Sequence, residues 1–224
     1  MGCGRPPADD GAGEDATVAA RPRARSGVAF GWLDSSLVLD DGDAELVRTS
    51  IVASTDVFLR DTLTLQIAAG GMLDGELDVE GGPARSLGPG WILSGGVTWR
   101  LLDGVDGPAP WLLLSLGFAG TGTRTVVDPP ASATPLRGDW LSFDARLGAT
   151  VGKTFADVVS PYAAARVFGG PILWSEGDED RLGTDRYHVQ IAAGASLRLG
   201  PVDVFVEGAP LGERGLSAGL GVSY

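Results

Sequence analysis

The side chains able to do chemistry are few, and their spacing limits what they can do. His188 is the single histidine and Cys3 the single cysteine. No motif that needs two histidines, no intramolecular disulfide and no cysteine-based metal site can therefore be built. Nucleophilic catalysis needs a hydroxyl or thiol against a base. If the segment around His188 is extended, its neighbours on the same side are Arg186 and Gln190, with Ser196 far along. That set makes no catalytic pair, so no enzyme activity is expected and His188 reads as an interior side chain bonded to Asp or Gln. The acidic run SEGDEDRLGTD (175–185) invites a calcium reading. Asp178, Glu179 and Asp180 are adjacent, however, whereas EF-hand ligands alternate along a twelve-residue loop. A solvated loop is expected, and neither a metal nor a cofactor is implied. What remains is a dispersed set of charges among small residues: Arg100, Asp144, Arg146, Arg166, His188, Arg198, Asp203 and Glu207. These could compensate one another in a narrow interior.

The bulk numbers narrow the field. The chain has 224 residues, 29 Asp and Glu against 17 Lys and Arg, and a single lysine, Lys153. An acidic chain offers no basic surface for phosphates, which argues against nucleic acid as a partner. The 35 glycines are about twice the usual share and follow no triplet period. No apolar run is long enough for a transmembrane helix, and residues 1–25 lack the apolar centre of a secretory leader.

Those charges must be positioned by strands. Residues 1–26 read as a disordered tail, and 27–224 as one all-β domain with period-two alternation throughout. In TLTLQIAAGGML, Leu63, Leu65, Ile67, Ala69 and Leu73 share a face, opposite Thr62, Thr64, Gln66, Ala68 and Gly70. WILSGGVTWRL, PWLLLSLGFAG, WLSFDARLGATVG and RYHVQIAAGASLRL repeat the pattern. PYAAARVFGGPIL, VDVFVE and GLSAGLGVSY add three more, and weaker candidates lie near 27–38 and 45–55. The expected fold is a closed antiparallel transmembrane β-barrel of ten strands, or eight if the first two fail. The connections alternate long and short from the third onward. The long ones are rich in Pro, Gly and acid, as in LDGELDVEGGPARSLG and TRTVVDPPASATPLRG.

Three features favour lipid outside over a soluble core. The strands run 11–14 residues, where about 9–11 cross a bilayer and soluble strands average about 5–6. The non-apolar faces are rich in Gly and Ala and poor in the long charged residues a water-facing side carries. The aromatics Trp91, Trp99, Trp140, Trp174 and Tyr224 sit near strand ends, as in an interfacial girdle. Trp91 and Trp99 share a face about 26 Å apart along one strand, or about 20 Å vertically with the usual tilt.

The chain ends on Leu216, Ala218, Leu220, Val222 and Tyr224, one face of an extended strand. With that ending and the preceding texture, it resembles small bacterial outer-membrane β-barrel proteins of the OmpA-like or porin-like class. These commonly close on a strand with alternating apolar residues and a terminal aromatic, usually Phe, which the barrel assembly machinery recognises. Here Tyr224 stands in that place. The resemblance implies an outer-membrane location, contact with lipid and lipopolysaccharide, and a monomeric state. The acidic loop at 175–185 could then bridge divalent ions to lipopolysaccharide. Outer-membrane lipid deacylases carry His and Ser two residues apart facing lipid; His188 is followed by Gln190 instead. The leader such a protein needs is missing, which points to a misplaced start codon; Gly2–Cys3 also looks like the cleavage junction of a lipoprotein, with Cys3 lipidated, or Cys3 is unmodified. N-myristoylation is excluded by Pro6. Three functions follow: a structural or surface-exposed barrel, a narrow pore for small solutes or ions, or a soluble lipocalin-like barrel with an apolar ligand cavity.

Overall fold

The structure, a computed structural model, describes residues 23–104, 109–127 and 136–224. The N-terminal segment through residue 22, with Cys3, lies outside the described residues. Among the described residues thirteen strands form one antiparallel sheet. The first six are β1 (Ala24–Leu39), β2 (Gly42–Arg60), β3 (Leu63–Val79), β4 (Arg85–Leu87), β5 (Gly90–Asp103) and β6 (Trp111–Val127). Then come β7 (Leu136–Gly152), β8 (Val159–Gly169), β9 (Ile172–Glu176) and β10 (Glu179–Asp185). The last three are β11 (Val189–Leu199), β12 (Val202–Leu211) and β13 (Arg214–Ser223).

This overturns the expectation of a closed barrel of ten, or eight, strands. The extra strands are β4, β9 and β10, and all three lie in or beside stretches whose Pro, Gly and acidic residues read as loop. They hold because each sets apolar or paired residues inward. Leu87, Ile172 and Trp174 are buried, while Leu173 and Leu182 point out. The flanking strands also run further than expected. β2 has 19 residues, and β3, β6 and β7 have 17 each.

The pairings make two stacked circuits that share strands. The lower one runs β1–β2–β3–β5–β6–β7–β8–β11–β12–β13, and β13 pairs with β1 from Arg25↔Ser223 to Asp34↔Arg214. The upper one lies at the end away from Ala24 and Tyr224. It runs β1–β2–β3–β4–β6–β7–β9–β10, and β10 returns to β1 at Leu37↔Asp185. β1 thus changes partner from β13 to β10 at Ser35 and Ser36.

The two circuits have opposite interiors. In the upper one, Leu37, Leu39, Leu46, Met72, Leu77, Val79, Leu87, Trp140, Ile172 and Trp174 form a packed apolar core. In the lower one the interior holds charged side chains among small residues, and the exterior is apolar. Phe30, Ile51, Ile67, Leu93, Phe118, Leu147, Val167, Val206 and Leu220 all face out, Ile67 at 63 % exposure. The soluble lipocalin-like alternative needs the reverse, with apolar side chains lining a cavity. A small cluster of Trp111, Leu113 and Tyr162 closes part of the lower end, the two rings 6.4 Å apart.

Candidate functional site

The interior of the lower circuit gathers most of the charges named from sequence, because the pleat sends every second side chain of each strand inward. Arg166 on β8 donates through Nη1 and Nη2 to the two carboxylate oxygens of Glu207 on β12, both at 2.8 Å, and through Nη1 to Gln190 Oε1 on β11 at 2.9 Å. Arg146 on β7 donates to Asp144 at 2.8 Å and to Glu213 at 2.9 Å. Gln190 Nε2 donates to the Glu213 carbonyl at 2.8 Å. Nearer the chain ends, Arg198 donates to Asp203 across β11 and β12 at 3.2 Å. Arg25 lies 3.3 Å from Asp56 and 3.8 Å from Asp203, and Gln66 donates to Asp56 at 2.6 Å. Arg100 lies 3.7 Å from Asp103.

Register explains these pairings. Arg25 is directly opposite Asp56, Arg198 opposite Asp203, and Arg166 opposite Gln190. An acceptor across the strand satisfies each guanidinium at short range, as buried charge requires. The expected network therefore gains Arg25, Asp56, Gln66 and Glu213, and Arg48 faces the same interior without joining it. Arg48, Asp56 and Gln66 shared parity with the small inward residues of β2 and β3. Glu213 was read as loop. It turns inward because Gly212 has φ +81°, and a Cβ there would lie 1.7 Å from the Val189 carbonyl oxygen.

His188 does not join the network. It is exposed, just ahead of β11, where its carbonyl accepts from Phe168 N at 2.9 Å and its ring lies against Gly169. Trp140 and Trp174 leave the expected girdle. Both are buried in the upper core, at 3 % and 1 % exposure, because β7 begins before Trp140 and Trp174 belongs to β9. Trp174 is clamped between the guanidinium groups of Arg85 and Arg181, at 4.6 and 4.7 Å, and donates to Thr125 Oγ1 at 3.2 Å. Arg85 also donates to both oxygens of Glu176 at 2.8 Å, which holds that carboxyl below its usual range. Trp91, Trp99 and Tyr224 do face outward, and Trp32 joins them. Leu216, Ala218, Leu220 and Val222 also face outward, on β13.

The acidic run at 175–185 is a β-hairpin of β9 and β10. Glu176 and Glu179 are engaged by Arg85 and Arg181, and Asp185 accepts from Ser35 Oγ at 3.3 Å. Burial, with repulsion from Glu213 and Asp144, pushes the Asp185 carboxyl up to about 6. Among the described residues no group of three or more His, Cys, Asp or Glu is arranged to hold a metal ion.

Between the charges runs a cavity of about 360 Å³. Its walls reach from Arg48, Asp144, Arg146 and Glu213, beneath the upper core, to Asp61 and Thr62 in the β2–β3 turn. A second cavity of about 190 Å³ lies along β12, β13 and β1 and shares Gly31, Ser50, Gln66 and Ser217 with the first.

No protein-family model matches the sequence, and no curated protein is similar to it. Among solved structures, the chain is similar to the outer membrane protease OmpT of Escherichia coli, with a TM-score of 0.60 at 10 % identity over 94 % of this chain and 99 % of that one. It is also similar to the translocator domain of the autotransporter NalP of Neisseria meningitidis, with a TM-score of 0.50 at 11 % identity over 90 % and 88 %. These likenesses do not single out the OmpA-like class. They and the strand pairings show that the chain has the fold of bacterial outer-membrane β-barrel proteins.

Proposed function

We propose that the chain is an integral protein of the bacterial outer membrane whose interior is a narrow pore for small solutes or ions. The observation that carries this is the long cavity inside the lower circuit, lined by charged side chains among small and apolar ones, set within a wall whose outer side is apolar. Lipid covers the band between Trp99 and Tyr224 at one level and Trp32 and Trp91 at the other, where indole and phenol rings favour the interface. The upper circuit stands clear of the bilayer, and its acidic outer surface meets lipopolysaccharide. The outward row Leu216, Ala218, Leu220, Val222 and Tyr224 serves as the signal read by the assembly machinery.

The pairing of every interior charge described above, apart from Arg48, makes the pore weakly selective. Arg100, Arg146, Arg166 and Arg198, which alone would favour anions, each face a carboxylate. The test is conductance of detergent-refolded protein in planar bilayers, after boiled and unboiled samples have been shown to migrate differently in SDS. Small, weakly selective channels are the expected result. A folded protein with no conductance would instead select a structural, surface-exposed barrel. The packed apolar core of the upper circuit, which lies across the far end of the lumen, favours that second reading.

A further inference from the structure

Among the described residues, the interior guanidiniums are matched by acceptors with one exception, Arg48 on β2. Its side chain points into the lumen and lines the large cavity at the end beneath the apolar core. Register denies it a partner. The residues opposite Arg48 are Leu33 on β1 and Gly75 on β3, and Gly215 stands opposite Leu33 on β13. None offers a side-chain acceptor. The carboxylates at this level, Asp144 and Glu213, already accept from Arg146, and Asp185 accepts from Ser35. Among the described residues no hydrogen bond or ion pair to the Arg48 side chain is found within bonding distance. Gly75 is packed closely against Arg48, since a Cβ there would lie 3.2 Å from the Arg48 Cβ and 2.6 Å from the Val47 carbonyl oxygen.

A guanidinium that faces the lumen without a protein acceptor can give its donors to a ligand carboxylate in place of water, as a charge-assisted pair of bonds. We propose that Arg48 is the anchor of a lumenal binding site for a short-chain monocarboxylate. The ligand's carboxylate takes the planar fork of the guanidinium, and its short alkyl end rests toward Leu33 and Ala209, which line the same cavity. A monoanion fits better than a phosphate, because Asp144 and Glu213 repel a second negative charge. The inference rests on the reading of the lumen as reachable by water and solutes from the β2–β3 turn.

The probe is acetate, labelled with ¹³C and titrated into detergent-refolded protein at neutral pH and fixed chloride, with binding read from its NMR line width. Saturable broadening is expected in the native protein and equally in Arg124→Gln, which removes an exposed arginine of the upper circuit. Arg48→Gln should weaken binding by about tenfold or more, and Arg48→Lys by less, because a single ammonium keeps the charge and loses the fork. Native protein without saturable broadening, or Arg48→Gln with undiminished affinity, overturns the site. Each variant is first checked for the cold-SDS migration of folded protein. If Arg48→Gln does not fold, Arg48→Lys decides, since unchanged acetate affinity there refutes recognition by the fork. The two readings separate cleanly. Acetate binding without conductance removes the pore and keeps the site, and conductance without acetate binding does the opposite.

Discussion

Asp185 sits where β1 passes from β13 to β10, and its removal tests whether the two circuits are coupled electrostatically there. In the folded protein its carboxyl is raised to about 6 by burial and by Glu213 and Asp144, from an ordinary 3.8. The folded state therefore holds the proton more tightly than the unfolded chain does. The stabilisation from that proton is complete below about pH 4 and is lost as pH rises through about 6. The full shift corresponds to about 3 kcal/mol, at about 1.4 kcal/mol per unit. Between pH 5 and pH 8, linkage for these two values gives a loss of about 1.4 kcal/mol, or about 1 kcal/mol allowing for residual solvent contact. Asp185→Asn keeps an oxygen to accept from Ser35 Oγ and has no proton to lose. Urea unfolding in lipid vesicles, run for both proteins across this pH range, isolates the contribution from that of the other carboxyls. The native protein should be as stable as the variant near pH 5 and less stable by about 1 kcal/mol near pH 8. A stability difference that stays flat across the range, or that moves in favour of the native protein as pH rises, would falsify the argument.

Ile67→Arg places a guanidinium on the outer face at mid-band. If lipid lies there it should cost about 2–4 kcal/mol in vesicles, whereas the same change on a water-facing strand would fall within about 0.5 kcal/mol. Glu207→Gln leaves Arg166 with a neutral partner and should destabilise by about 3 kcal/mol, while shifting the reversal potential of any conductance toward anion preference; a cation shift would contradict the assigned pairing. Trp174→Ala empties the clamp between Arg85 and Arg181 and should cost about 3–5 kcal/mol. Limited proteolysis should then cut first in the β9–β10 hairpin, and first cuts elsewhere would show that Trp174 does not hold it.

The faces of the strands were legible because alternation is a strictly local signal. Arg166, Arg146 and Arg198 point inward for the same reason that Val167, Leu147 and Leu197 point out. Strand number was not legible. β4 and β10 are short and lie among Pro, Gly and acidic residues that carry the local marks of a loop, and the start of β9 read as the end of the strand that holds β8. What makes them strands is a distant partner, β6 for β4 and β7 for β9. Trp140 and Trp174 were misplaced by the same error, since a tryptophan at an apparent strand end becomes core when the wall continues past it. Glu213 needed the unusual backbone of Gly212, and the lack of a partner for Arg48 needed the register of three strands. Neither is encoded within a window of neighbouring residues.

The seam between β13 and β1 has a consequence for how the protein is made. Ser26 Oγ meets the Tyr224 hydroxyl at 2.9 Å although 198 positions separate them, and Tyr224 O accepts from both Arg23 N and Ala24 N. Contacts of such range are the slowest to form, because the chain entropy of closure must be met before they contribute. β1 therefore carries one unsatisfied edge until β13 has been synthesised and delivered. For all that interval the exposed edge and the apolar outer face are open to wrong partners. The nascent chain thus depends on being held apart from its own kind until the seam is sewn, and the rate of that last step sets how much of it survives.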